Sequence, residues 1–272
     1  MEEQTNIVQE QKKKGNGGII ALLLIIIVLL TGVIVLLVVK PDLFKTNSNG
    51  NNNETTQPVE EEKVTFSNSE LEEYVNYISP ISIGPSALLY DTSSVKASQL
   101  SAGKKIEYIG SLVYSKQTSS SDYKYGIISE INVKTAVEKV YGPNTYEKAT
   151  FNLGCGDYTF NESERNYYSP SGCGGTTATV AANTIIDYKA TKSKLEITTA
   201  YAILGGTNKI YKDYNQTIAL DDYTYSNSTQ TYAEDGLKEY IKNNKDKLSK
   251  IIYTFESSDG INYYFTGFEN NK

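Results

Sequence analysis

The longest apolar stretch of the chain lies near its amino end, where Ile19–Val39 contains no charged residue. At a rise of about 1.5 Å per residue, a helix of this length reaches across a hydrocarbon layer of about 30 Å. The stretch has no polar stripe, which a helix at the surface of a globular protein would need. The pattern therefore predicts a membrane-spanning helix.

The residues around this stretch indicate its orientation. Lys12, Lys13 and Lys14 precede it, whereas Lys40 and Lys45 follow it, and an excess of basic residues favours the cytoplasmic side. A cleaved signal peptide has an apolar region of about 7–15 residues before a site of small residues. The stretch here is longer and is followed by VVKPDLF. We predict an uncleaved signal anchor in the cell membrane, with the amino end cytoplasmic and the rest of the chain outside.

The polar segments divide the remainder into three regions. Met1–Gly18 is a short cytoplasmic tail, and Lys40–Lys63 is rich in Asn, Thr and Glu with few large apolar residues. Such a composition buries too little apolar surface to offset its chain entropy, so the second segment is predicted to be a flexible tether. Val64–Lys272 is long enough to form one sizeable core and is predicted to be the extracytoplasmic domain.

Within this domain, apolar residues at helical spacing predict four helices. The first follows Ser69 as N-cap and ends at Pro80, and the third follows Asn132 as N-cap and ends at Gly142. The other two are predicted over Ala97–Ser115, where Gly103 and Gly110 weaken the pattern, and over Tyr232–Ser249.

Alternating apolar and polar residues predict strands from Pro143 onward. A long hairpin is predicted to turn near Ser193, and a C-terminal hairpin near Asp259 and Gly260. Shorter strands are predicted at Lys148–Leu153, Asp157–Asn161, Asn166–Ser169 and within Asn208–Leu220. With helices early and antiparallel strands late, the pattern predicts an α+β domain in which early helices pack on a mainly antiparallel sheet, closed by a helix and a β-hairpin.

Cys155 and Cys173 are the only cysteines, and each is flanked by glycines. Cysteines in an oxidising compartment pair, so we predict a structural disulfide between them. It would close a loop of about 19 residues and stabilise the fold by about 3 kcal/mol in the loop-entropy description. A zinc site needs about four ligands, and the chain has no histidine to complete one. The sequence indicates neither a metal site nor a cofactor.

The absence of histidine also excludes the Ser-His-Asp and Cys-His catalytic arrangements. Carboxylate chemistry and a lysine-activated serine remain, and the motif SAGK makes Ser101 and Lys104 the candidates for the second. Paired carboxylates of a glycosidase lie about 5–10 Å apart across a cleft. The acidic clusters of this chain lie in polar runs that are typical of solvated surface.

Tyrosine is abundant, with 23 residues against 7 phenylalanines. Tyrosine suits recognition surfaces because it gives a large contact area at low entropic cost, but it also fills half-buried strand positions. Tyr167 and Tyr168, in the segment between the cysteines, are the candidate ligand-binding pair. The formal charge of −6 argues against a nucleic-acid partner, which requires a basic surface.

These observations favour a non-enzymatic surface protein that binds a cell-wall polymer, an extracellular ligand or a membrane-protein partner. An envelope hydrolase using carboxylates or the Ser101–Lys104 pair is the second hypothesis. An accessory subunit of a membrane complex, held by its span in the lipid bilayer, is the third. No Gly-x-x-x-Gly motif marks a self-association face in that span.

Overall fold

A computed structural model describes residues 62–80, 87–119, 125–154, 156–170, 179–224 and 230–272. All of them belong to one compact unit, Val59–Lys272. The predicted span Ile19–Val39 and both cysteines lie outside the described residues. In the ranges given above, no helix combines the length and the apolar character that a membrane crossing requires.

Six α-helices are formed by the described residues. They are α1 (Asn68–Tyr77), α2 (Ala87–Tyr90), α3 (Ala102–Tyr108), α4 (Gly110–Tyr114), α5 (Glu130–Tyr141) and α6 (Gln230–Asn244). Short 3-10 turns span Ala97–Gln99 and Lys245–Lys247. The predicted helices at the first, third and fourth positions are confirmed, with differences at their ends.

The N-cap of α1 is Ser67 rather than the predicted Ser69. The Ser67 hydroxyl accepts a hydrogen bond from the Glu70 backbone N–H, and the Glu70 carboxylate accepts one from the Ser67 N–H at 2.7 Å. This reciprocal pair is a capping box, which satisfies two backbone donors that a helix start leaves open. Ser69 lies two residues further along, within the first turn of the helix.

The prediction of one helix over Ala97–Ser115 is wrong, because the chain forms a 3-10 turn and then two short helices that meet at Ile109. The backbone N–H of Ser111 donates to Ser79 O at 2.8 Å, outside its own helix. Gly103 allows α3 to lie close to the segment around Thr150, since a Cβ at this position would lie 2.4 Å from Thr150 O. Both contacts are tertiary, so the periodicity of the sequence did not reveal the break.

Twelve strands are formed by the described residues. In order they are β1 (Ser94–Lys96), β2 (Thr118–Ser119), β3 (Tyr125–Ser129), β4 (Phe151–Asn152), β5 (Asp157–Asn161), β6 (Asn166–Pro170), β7 (Val180–Ala190), β8 (Lys194–Leu204), β9 (Lys209–Tyr211), β10 (Ala219–Asp222), β11 (Ser249–Glu256) and β12 (Tyr264–Asn271). In the part of the chain that the structure describes, β4 to β10 follow one another without an intervening α-helix. The predicted long hairpin is confirmed as β7–β8, which turns at Lys192 and Ser193. The closing hairpin is β11–β12, but a loop rather than a two-residue turn joins its strands.

The strands form two antiparallel sheets. The large sheet has the order β1-β12-β11-β8-β9-β10, with β7 also paired to β8, and the small sheet has the order β2-β3-β6-β5-β4. The described part of the chain is thus a mixed α+β unit with antiparallel sheets, as the sequence predicted.

The large sheet is covered on both faces near β8. Ile197 and Tyr201 of β8 are fully buried among residues of α1, α3, α5 and the small sheet. The alternate residues Ala200 and Ala202 pack instead against Leu237 of α6 on the opposite face. Their small side chains let this helix approach the sheet closely. Full burial of a residue such as Leu237 contributes about 1.5–3 kcal/mol, which ties α6 to the sheet.

Candidate functional site

The predicted binding residues Tyr167 and Tyr168 lie on strand β6, where the sequence predicts a strand, and point to opposite faces of the small sheet. Tyr167 has 0% of its surface exposed. Its hydroxyl lies 2.8 Å from the Tyr146 hydroxyl, and the rings of Phe151 and Phe160 each lie 4.9 Å from its ring. A ligand at the surface therefore has no access to the Tyr167 ring, and this half of the predicted pair is a core residue.

Tyr168 lies on the outer face of the small sheet and is half-buried. It is the cross-strand partner of Ile127 on one side and of Thr159 on the other. Its hydroxyl donates to the Glu164 carboxylate, and this hydrogen bond raises the pKa of Tyr168. Tyr168 is thus the only member of the predicted pair whose position allows contact with a ligand, and its binding role stays a prediction.

Many of the tyrosines are core residues, which explains part of the tyrosine excess. Some of their hydroxyls reach backbone carbonyls at the edge of the core, as when Tyr108 donates to Leu88 O at 3.0 Å and Tyr263 to Thr191 O at 2.7 Å. A tyrosine therefore suits positions at the edge of the core, where its ring is buried and its hydroxyl can reach the backbone of a nearby segment. Within the described ranges, the buried tyrosines are Tyr90, Tyr108, Tyr141, Tyr158, Tyr167, Tyr201, Tyr253 and Tyr263.

Ser101 and Lys104, the candidates for a serine hydrolase, form the start of α3. The Ser101 hydroxyl accepts a hydrogen bond from the Lys104 backbone N–H at 3.4 Å and caps the helix. The Lys104 ammonium lies 2.5 Å from the Glu107 carboxylate instead of facing the serine. The SAGK motif is therefore explained by helix capping and a surface ion pair, and it does not place an amine to activate Ser101.

A groove of about 650 Å³ lies where the short edge strand β1 ends beside β12. We call it the β1–β12 groove. Its lining is formed by Ser94, Val95, Lys96, Ala97, Ser98, Lys105, Tyr141, Thr145, Thr254, Glu256, Phe265, Thr266, Gly267, Phe268 and Glu269. It combines aromatic rings, hydroxyls and charges of both signs.

The groove exists because β1 is much shorter than its neighbour. Ser94–Lys96 pairs with residues 267–269 of β12, so the beginning of β12 extends past the end of β1. Gly267 allows β1 to lie close, since a Cβ there would be 2.3 Å from Val95 O. A register shift between Thr254 and Phe255 of β11 bends the strands at the same level, and such bulges redirect side chains at sheet edges.

The floor of the groove is held by Tyr141. Its hydroxyl donates to Lys105 O at 2.9 Å, and its ring lies 5.9 Å from that of Phe265. Burial raises the pKa of Tyr141, so its hydroxyl stays protonated at neutral pH. The Lys105 ammonium lies 5.9 Å from the same ring, close enough for a weak cation–π interaction. The groove therefore offers a rigid aromatic floor with a cation beside it.

Two carboxylates line this groove, but they are too far apart for a glycosidase. Glu269 lies opposite Ile252 in the register, four residues before Glu256 on β11. At about 3.3 Å per residue this separates them by about 13 Å along the strand, beyond the ~5–10 Å of a catalytic pair. The two carboxylates therefore do not form a catalytic pair of this kind.

Sequence reasoning missed this groove, because its residues come from three distant segments of the chain. One signal was present: Gly267 stands alone within an aromatic strand pattern, TGFE, and such a glycine marks a bulge or a close backbone approach. Among the described residues, no group of three His, Cys, Asp or Glu side chains gathers closely enough to hold a metal ion. Comparison with protein-family models, with curated proteins and with solved structures found no match to this chain.

Proposed function

We propose that this chain is a membrane-anchored surface protein with a non-catalytic binding domain. Ile19–Val39 is the single-pass anchor, with a cytoplasmic amino end, and Lys40–Lys63 is the tether, whose last residue already bridges Thr191 of the domain. Val64–Lys272 lies outside the membrane and carries the binding site. The apolar, uncharged anchor and the lysines before it support this arrangement.

The observation that carries the binding proposal is the β1–β12 groove. Its volume of about 650 Å³ falls within the range of about 300–1,000 Å³ that is typical of ligand sites. Tyr141 and Phe265 provide a fixed apolar floor, so little side-chain order would be lost on binding.

The rim indicates the chemistry of the ligand. Lys96 of β1 and Glu269 of β12 are both exposed and line the groove from neighbouring strands, so both a carboxylate and an amine of a ligand find a partner. The hydroxyl-bearing residues Ser98, Thr145 and Thr254 also line the groove and add hydrogen-bonding groups. A cell-wall polymer that combines peptide carboxylates and amines with sugar hydroxyls fits this rim, and we propose such a polymer as the ligand.

Co-sedimentation of the full chain, purified in detergent, with isolated cell wall tests the proposal. We expect saturable binding to the wall that weakens at least about tenfold in Lys96→Glu, equivalent to about 1.4 kcal/mol. Lys116→Glu is the matched control, since Lys116 is an exposed lysine outside the groove and its reversal should leave binding unchanged.

Two other outcomes would decide against this function. Wall binding that Lys96→Glu leaves intact would remove the groove as the site. Binding to wall-free membranes alone would instead favour the accessory-subunit hypothesis, with a membrane protein as partner.

A further inference from the structure

Strand β7 forms an edge of the large sheet, across the sheet from β1. In the described ranges, its only strand partner is β8. The outer side of an edge strand presents backbone N–H and C=O groups that can pair with another chain. Eleven residues long, β7 offers an extended edge of this kind.

The hydrogen-bond ladder shows which groups point outward. Thr191 N donates to Lys194 O at 2.8 Å, so Lys194 and every second residue after it on β8 face β7. Ala200 and Ala202 belong to this set, and their partners are Thr184 and Ala182. The backbone groups of residues 181, 183 and 185 therefore point away from the sheet.

The far end of this edge already pairs with another segment of the chain. Val64 N donates to Ala190 O at 3.2 Å, and Lys63 forms an antiparallel bridge with Thr191. Natural edges are protected by bulges and charges, and this end also has a register shift before Asp187. The stretch Ala181–Ile185 has no charged residue and no such bridge within the described residues.

This uncharged stretch lines a groove of about 460 Å³, which we call the β7-edge groove. One wall is formed by Glu72 and Asn76 of α1, and the other by Lys238 and Lys242 of α6. Because α6 packs on one face of the sheet and α1 on the other, the walls stand on both sides of the strand edge. Pairing of two β7 strands would bring the walls of both copies to the same edge. A single extended chain has room to enter.

We propose that the β7-edge groove binds an extended segment of a partner protein, which adds to β7 as an antiparallel strand. This site lies apart from the β1–β12 groove and goes beyond the function proposed above. The antiparallel direction follows that of the Lys63–Thr191 bridge. Main-chain hydrogen bonds supply affinity in this mode, and alternate side chains supply specificity.

The charges of the walls define the sequence that fits. Alternate residues of the added strand face α6 and α1 in turn. Lys238 lies 2.8 Å from Glu234, whereas Lys242, one turn further along, has no ion-pair partner among the described residues. Residues of the added strand that face α6 are therefore expected to be acidic. Those that face α1, beside Glu72, are expected to be uncharged or basic.

The test uses a labelled peptide of alternating Glu and Thr with the full chain in detergent, measured by fluorescence anisotropy. In an antiparallel pair, residues that exchange hydrogen bonds carry side chains on the same face. The Thr residues, facing α1, are thus the ones whose N–H groups reach residues 181, 183 and 185. N-methylation of the Thr amides should weaken binding at least about tenfold, and N-methylation of the Glu amides should not.

A protein variant tests the charge assignment separately. Lys242→Glu should weaken binding of the Glu–Thr peptide at least about fivefold, while Lys245→Glu, an exposed lysine beyond the end of α6 and outside the groove, should not. Absence of peptide binding up to about 1 mM, equal binding of both methylated peptides, or loss only on Glu methylation would overturn the proposal. These results concern peptide affinity alone, so they are independent of the wall-binding experiment.

Discussion

Arg165 Nη2 lies 2.8 Å from Glu130 Oε2, and Glu130 N donates to Arg165 O at 3.0 Å. The carboxylate of Glu130 is nearly buried at the first residue of α5, and the guanidinium extends from the turn between β5 and β6. These two contacts join the small sheet to α5. They also explain why α5 begins at Glu130 rather than after the predicted cap Asn132: the first helical N–H finds its acceptor in the turn.

Removing this guanidinium should destabilise the fold. Arg165→Ala removes the nearer of the two cations beside the buried Glu130 carboxylate among the described residues, and the other, the Lys148 ammonium, lies 3.9 Å away. We expect a loss of about 1–3 kcal/mol in the free energy of unfolding, measured with urea. A double-mutant cycle with Glu130→Gln provides the control. If the two single effects simply add, the ion pair contributes nothing and the interpretation fails.

Truncation of the two adjacent tyrosines should lower the stability of the fold by different amounts. Tyr167→Ala removes a fully buried ring and should lower the free energy of unfolding by about 3–5 kcal/mol. Tyr168→Ala removes a half-buried ring on the outer face and should cost less than about 1.5 kcal/mol. Thermal unfolding of both variants measures the difference, and similar melting temperatures would contradict the assignment of faces.

Asp259 should make the stability of the domain depend on pH in the acid range. Its carboxylate accepts hydrogen bonds from the backbone N–H groups of Asn262 and Ile261 and from the Asn262 side chain at 2.8–2.9 Å. These bonds hold the pKa of Asp259 well below its usual value. Because the folded-state pKa is depressed, the stabilisation is fully present above the unfolded value of about 3.9 and is lost as pH falls towards the folded value.

The variant Asp259→Asn tests this dependence. The melting temperature of the variant should lie below that of the wild type near pH 7, and the gap should narrow below about pH 4. Asp246→Asn, at an exposed turn position, is the control. A gap that is constant with pH would show that the carboxylate charge does not organise the loop.

The two cysteines give a prediction that depends on the sequence alone. If Cys155 and Cys173 pair, thiol counting on the denatured, unreduced chain finds no reactive thiol. Reduction should then lower the free energy of unfolding by about 3 kcal/mol. Two reactive thiols per chain would refute the disulfide and remove one argument for an oxidising compartment.

The order and type of most elements could be read from the sequence. The alternation in residues 180–204 predicts the β7–β8 hairpin, and the spacing of Leu237 and Ile241 predicts α6, because local apolar periodicity reports which residues share a face. The break at Ile109 could not be predicted in this way, since it depends on the contact between Ser111 and Ser79.

Tyr167 and Tyr168 show which features of the structure could not be predicted from the sequence. By itself it determined that neighbouring residues of a strand point to opposite faces, and that the domain is built from helices and antiparallel strands. Only the tertiary structure decided that Phe151 and Phe160 cover the face of Tyr167, that β1 ends early beside β12, and that part of the β7 edge lies between two helices. The physical reason is that alternation is a property of one strand, whereas covering a face or leaving an edge unpaired depends on segments far away in the chain.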